Sequence, residues 1–175
     1  MRREWGPVTN RTRARRIVVA ALAWAACHSL TGLAAHRLGD DRLSREGWLL
    51  RPRDFEVGGR WYRDRLAIHR WKDALPEAGD LFSGGVSKRH VVGLDVGLDD
   101  AALERFVRET RRAELGHWWA MACGPTFLLW TPPRSWVPLV GYGVAVNAPF
   151  IAIQRYNRFR TRAVLAHRAR RRRMG

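Results

Sequence analysis

The chain has 175 residues and a mass of 20.1 kDa, the size of one domain, which excludes a multidomain architecture within it. Its 32 Lys and Arg against 16 Asp and Glu give a formal net charge of +16, and 46% hydrophobic residues with nine Trp exclude disorder. A mean hydropathy of −0.34 reads as soluble, but it averages over solid apolar blocks that do not suit a large soluble core.

A bilayer core about 30 Å thick takes roughly 20 apolar residues of helix. Ile17–His36 fits that length, carries no Asp, Glu, Lys or Arg, and is predicted helical to about Ala35. Arg11–Arg16 before it and the small residues near Leu33-Ala34-Ala35 also match a cleaved signal peptide. Twenty uncharged residues exceed the usual signal core, which favours an uncleaved anchor. Residues 37–60 are polar and irregular, broken by Asp40-Asp41, Pro52 and Gly58-Gly59. Residues 60–76 interleave Trp61, Leu66, Ile68, Trp71 and Leu75 with Arg and Asp, as an interfacial segment in the headgroup layer does. Residues 77–98 read as a Gly-rich loop without a P-loop or Rossmann pattern.

Asp99 or Asp100 is the expected N-cap of an amphipathic helix over 99–117, with Leu103, Phe106, Val107 and Leu115 on one face. It leads into residues 115–154, where Arg134 is the one Asp, Glu, Lys or Arg. These residues are expected to form a transmembrane hairpin with arms Leu115–Pro133 and Ser135–Ile153, turning at Thr131–Ser135 because two prolines stop the helix. Residues 155–175 follow as a basic cytoplasmic tail. The expected fold class is an all-α membrane protein: a two-helix hairpin, an N-terminal apolar helix over 17–36 and interfacial amphipathic segments. Cys27 and Cys123 both fall inside apolar segments and read as packing residues.

Arg105, Arg108, Arg111 and Arg112 before the hairpin, and the tail arginines after it, put both hairpin ends in the cytoplasm. The arginines of residues 1–16 favour the same side. If 17–36 spans, residues 37–116 would then begin outside and end inside with no further span to return them. Segment 17–36 is therefore expected to be re-entrant or interfacial, cleaved, or inserted with its N-terminus outside.

Three constellations carry the chemistry. Glu114 and His117 stand at i,i+3 on one helix, with Glu109, Arg111 and Arg112 a turn or so earlier. A carboxylate beside an imidazole holds its tautomer and stabilises the imidazolium, which a general base needs; the plainer alternative is a surface ion pair. The same spacing occurs in metal-binding bundles, but those need further copies, so no metal is expected. Asn147 lies inside an apolar segment where an amide needs a hydrogen-bond partner, and Gln154, Arg155, Asn157 and Arg158 follow where the helix leaves the bilayer. That cluster suits a phosphate, a pantetheine-linked nucleotide or a sugar, or serves as a positive-inside anchor. Trp71, Lys72 and Asp73 suit a headgroup or sugar equally well as an interfacial anchor. Ser83, Ser87 and Ser135 lack a nucleophile elbow, and the basic runs flank apolar spans instead of lining a groove, so no nucleic-acid partner is expected.

Trp71-Lys72-Asp73 with Pro76, the run from Glu109 through Arg112-Ala113-Glu114 to His117-Trp118, and Asn147-x-Pro149 leading into Gln154-Arg155-Tyr156-Asn157-Arg158 together resemble the glycosyl-4,4'-diaponeurosporenoate acyltransferase family. The resemblance covers residues 60–76 and 105–162, with residues 1–59 outside it and Phe159 where the staphylococcal pattern has proline. It implies a membrane acyltransferase that esterifies a sugar hydroxyl of a glycosylated carotenoid, or similar glycolipid, with a fatty acyl chain. The implied partners are membrane lipids, that acceptor and a fatty acyl donor, either acyl-CoA or acyl-carrier protein, with no other cofactor. His117 is then the expected base and Glu114 its orienting carboxylate. Glu109, Arg112, Asn147, Gln154, Arg155, Asn157 and Arg158 would bind the donor or oxyanion, and Trp71, Lys72 and Asp73 the sugar. The site and C-terminus would face the cytoplasm of the cell membrane. The alternative is a non-catalytic membrane adaptor or lipid-binding protein with an Arg-rich cytoplasmic face.

Overall fold

The computed structural model describes residues 10–75 and 99–175; the expected loop 77–98, with Pro76, Ser83 and Ser87, lies outside the described residues. The described residues are helical and contain no strand. They divide into two compact units: Met1–Arg37 with Gly116–Pro149, and Leu38–Leu115 with Phe150–Gly175. We call them the bundle unit and the charge-paired unit. Among the described residues the α-helices are α1 (Asn10–His36), α2 (Asp40–Ser44), α3 (Arg60–Asp64), α4 (Asp100–Ala122) and α5 (Pro133–Met174).

In the bundle unit, α1 begins at Asn10 with Arg11, Arg13, Arg15 and Arg16 in its first turns and carries no Asp, Glu, Lys or Arg from Ile17 on. Trp24 and Ala35 are buried, while Ile17, Val18, Leu22 and Leu30 are exposed. Trp24 stacks on Phe127 with ring centroids 5.0 Å apart and tilts against Tyr142 at 5.4 Å. A Cβ on Gly143 would sit 2.4 Å from Trp24 Cη2, so only glycine admits the indole there. Further along, a Cβ on Gly116 would lie 3.5 Å from that of Ala35. Arg13, at the opposite end of α1, flanks the same cavity as Arg134 at the start of α5. Thus α1 and the first half of α5 run parallel, with Gly116–Leu129 passing back between their levels. The chain traverses the unit three times, and Arg37 and Gly116 belong to one end of it. Residues 37–116 thus leave and re-enter the unit at the same end, and Arg13 and Arg15 lie at the opposite end with Arg134, not on the side where the sequence placed them.

The expected first hairpin arm, Leu115–Pro133, is corrected. α4 stops at Ala122, because Gly124-Pro125 follows and proline disfavours helical geometry in the residue before it. A 3-10 turn over Gly124–Leu129 completes the passage, and Pro133 opens α5 at the position where its missing N–H costs nothing. Among the described residues, the helices long and apolar enough to cross a membrane are α1 and α5. Residues 115–133 do not form a single spanning helix.

In the charge-paired unit, Asp99 caps α4 as expected, Oδ1 accepting the Ala102 N–H at 2.7 Å. Leu103 and Phe106 of α4 pack on Val164 and Leu165 of α5. The 60–76 segment does more than the interfacial reading supposed: Tyr62 and fully buried Ile68 join Ile153 and Tyr156 in a core. Each such buried aliphatic side chain stabilises by roughly 1.5–3 kcal/mol. The tight course of Asp54–Gly59 is held by Gly59 at φ +94, where a Cβ would meet Phe159 Cβ at 2.9 Å. The expected tail 155–175 is helical to Met174.

Candidate functional site: a neutral dyad and a buried ion network

His117 and Asn147 meet in the bundle unit. Asn147 is fully buried, and its Nδ2 donates to the Gly143 carbonyl one turn back on α5, at 2.8 Å. A carbonyl can only accept, so this contact fixes which way the amide points. Asn147 Oδ1 therefore faces His117 Nδ1, 3.0 Å away. Nδ1 must carry the proton, and Nε2 becomes the basic nitrogen of the neutral ring. The amide performs the orienting role that a carboxylate performs elsewhere, without adding a charge to an apolar surrounding.

Glu114, expected to orient His117, is fully buried in the charge-paired unit. Its Oε1 accepts from Arg155 Nη1 at 2.7 Å, and Arg158 Nη2 lies 2.6 Å from Oε2. Arg155 also donates Nε to Glu56 Oε1 at 2.6 Å and Nη2 to Glu56 Oε2 at 3.0 Å. Backbone carbonyls of Leu49 and Arg51 take the remaining two N–H groups, at 2.9 and 2.8 Å. A guanidinium has five donors, and here all five are used inside the protein. The expectation that Arg155 binds substrate is corrected on that ground. Arg158 reaches the Leu50 carbonyl at 3.4 Å, and its Nη1 is buried without a hydrogen-bond partner among the described residues.

Glu56 is the residue that sequence reasoning missed. It also accepts the Arg53 N–H at 2.5 Å and the Tyr62 hydroxyl. Burial alone would raise its carboxyl pKa; the hydrogen bonds from Arg155, Tyr62 and Arg53 outweigh that and hold it below the ordinary range. Burial and the adjacent carboxylate push the Tyr62 hydroxyl the other way, well above its usual value. Val57, next in sequence, sits at φ 45, a strained position for a β-branched residue. A signal for Glu56 existed: two arginines adjoining an apolar segment need buried carboxylates, and Glu56 precedes Gly58-Gly59. A second set was missed likewise. Arg111 donates to the Leu43 and Ser44 carbonyls at 2.5 and 2.9 Å and to Glu46 at 2.9 Å, and Arg162 shares Glu46.

The other expected residues also lie in the charge-paired unit. Arg112 pairs with Glu109 and donates to the Leu38 carbonyl at 3.2 Å. Lys72, nearly buried, pairs with Asp73, and Trp71 Nε1 donates to the Leu66 carbonyl at 2.9 Å. Gln154 is half-buried, and the Asn157 backbone carbonyl accepts from Thr161. Cys27 and Cys123 are both free thiols. Among the described residues, no three His, Cys, Asp or Glu converge as metal ligands.

An imidazole held by a buried amide in this way can accept a proton from a weakly acidic group. A family model described as glycosyl-4,4'-diaponeurosporenoate acyltransferase matches residues 46–167. The chain belongs to that family and is an acyltransferase. The match begins at Glu46, well before residue 60 where the sequence resemblance began, and so takes in Glu46 and Glu56. Proteins named glycosyl-4,4'-diaponeurosporenoate acyltransferase from Staphylococcus aureus strains MRSA252 and USA300 are each 26% identical over 130 residues, 74% of this chain and 75% of theirs. No solved structure matches.

Proposed function

We propose that this acyltransferase is a membrane protein that esterifies a sugar hydroxyl of a glycosylated carotenoid, or a similar glycolipid, using a fatty acyl thioester. The observation that carries the reading is the His117–Asn147 pair, an imidazole with its basic nitrogen fixed by a buried amide. The names of the staphylococcal relatives supply the acceptor class. The large apolar side chains exposed along α1, such as Leu22 and Leu30, suit lipid as their solvent.

In the reaction, His117 Nε2 takes the proton of the sugar hydroxyl as its oxygen attacks the acyl carbonyl. The tetrahedral oxyanion collapses, the carbon–sulfur bond breaks, and the imidazolium returns its proton to the thiolate. Asn147 is a positioning residue. Gln154, Asn157 and Arg158 are assigned to the polar head of the donor, acyl-CoA or acyl-carrier protein. Trp71, Lys72 and Asp73 are assigned to the sugar. We place the end of the bundle unit at Arg37, Gly116 and Pro149 in the cytoplasm, because the chain beyond it carries most of the arginine.

Mass spectrometry of lipid extracts tests this. A host making glycosylated carotenoid is compared with the same host carrying this chain. A new species heavier by one acyl group is expected; its absence, with the protein present in membranes, would remove this acceptor.

A further inference from the structure

The bundle unit holds an open groove of about 1320 Å³ between α1 and the start of α5 that the dyad does not use. It is larger than the roughly 300–1,000 Å³ of a small-molecule pocket. Arg13, Arg15 and Arg134 line one end, and Ile17, Ala21 and Leu139 are among the apolar side chains along it. Residues 10–37 and 116–149, the described part of this unit, contain no Asp or Glu. Among the described residues of the unit no carboxylate answers the positive end, and the rest of the groove is mostly apolar, with Thr12, His28, Thr131 and Ser135 as polar exceptions.

Lengths narrow the occupant. From Arg15 to Trp24 a helix rises about 14 Å, close to the hydrocarbon depth of one leaflet, half of about 30 Å. An acyl chain hung from a phosphate at the arginines thus reaches the Trp24–Phe127–Tyr142 cluster and ends there. Asn147 lies about 20 Å farther along α5 than Arg134, so a lipid seated here does not present its ester to His117.

We propose that this groove binds an anionic phospholipid, its phosphodiester held by Arg13, Arg15 and Arg134 and one acyl chain lying along Ile17, Ala21 and Leu139. It is an accessory lipid site, separate from the acyl donor and acceptor. Guanidiniums match phosphate oxygens in paired hydrogen bonds. Net negative charge is selected as well, because each arginine at an anionic headgroup favours binding by about fivefold.

The full-length protein in detergent, offered equimolar phosphatidylglycerol and phosphatidylcholine with identical chains, is read by native mass spectrometry. One phosphatidylglycerol is expected to be retained in preference. The triple variant Arg13→Gln/Arg15→Gln/Arg134→Gln should lose at least about tenfold of that retention. Ala21→Trp, which fills the groove and keeps every charge, should lose it too. Arg170→Gln/Arg171→Gln/Arg173→Gln, in the tail, should keep it. Equal retention of the two lipids, retention unchanged in both groove variants, or loss with the tail variant would each overturn the proposal. So would displacement of the lipid by inorganic phosphate alone, which would make this a phosphate site.

Discussion

The two units bury polar groups in opposite ways. The charge-paired unit takes Arg155, Arg158, Glu56 and Glu114 out of water together, two cations against two anions. The bundle unit buries a neutral amide against a neutral imidazole and, in its described residues, has no carboxylate. The difference follows from cost. Charges leave water tolerably only when each is paired and hydrogen-bonded, and removing one partner exposes the full penalty of the other. Such a network is rigid: Arg155 has no donor left for a substrate, and Arg158 keeps one buried nitrogen, Nη1, without a partner among the described residues. A neutral dyad can sit in an apolar setting and acquire charge only as a proton moves. The charged set thus holds the architecture of its unit, and the proton transfer proposed above falls to the neutral one.

That division can be broken by mutation, and the largest expected effect is at the base. His117→Ala should lower kcat by about 10²–10⁴-fold with the melting temperature unchanged, measured as ester formed per mole of purified protein. Next is the centre of the network: Arg155→Met leaves two buried carboxylates short of a partner and should destabilise by about 3–5 kcal/mol, read in detergent denaturation. Asn147→Ala should cut kcat by about 10²-fold while KM holds, since the tautomer loses its support but the binding groups remain. Gly143→Ala drives a methyl into Trp24, an overpacking that should cost about 1–3 kcal/mol. The smallest effect is that of pH on the charge-paired unit. Because Glu56 titrates below its ordinary value of 4.5, its contribution is complete above that pH and fades as pH falls through the depressed value. Unfolding followed from pH 6 downward should show this decline, and Glu56→Gln should reduce it, the remainder coming from Glu46, which Arg162 and Arg111 also hold low.

Part of this was legible in the sequence, and the remainder had a physical reason for hiding. The cap at Asp99 and the apolar helix over 17–36 follow from local rules that the structure repeats, whereas Pro133 opens α5 and the preceding helix has already ended at Ala122. His117 and Asn147 were both visible as polar groups in apolar surroundings, but they are thirty residues apart, and i,i+3 spacing made Glu114 the nearer partner. Arg155 and Glu56 are ninety-nine residues apart, and nothing local marks the pairing. The early break of α4 at Gly124-Pro125 was in plain view, yet hydropathy read over 115–133 concealed it. The short apolar run at Ile68 looked interfacial because alternation with Arg cannot tell a headgroup layer from a protein core.

The most direct test of the division sets His117→Ala beside Glu114→Gln and measures stability and kcat for both on purified protein. The account predicts that His117→Ala melts with wild type and makes no ester above background. It predicts that Glu114→Gln melts well below wild type yet keeps a near-normal kcat at temperatures where it is folded. A Glu114→Gln protein of wild-type stability without activity, or an active His117→Ala protein, would contradict it.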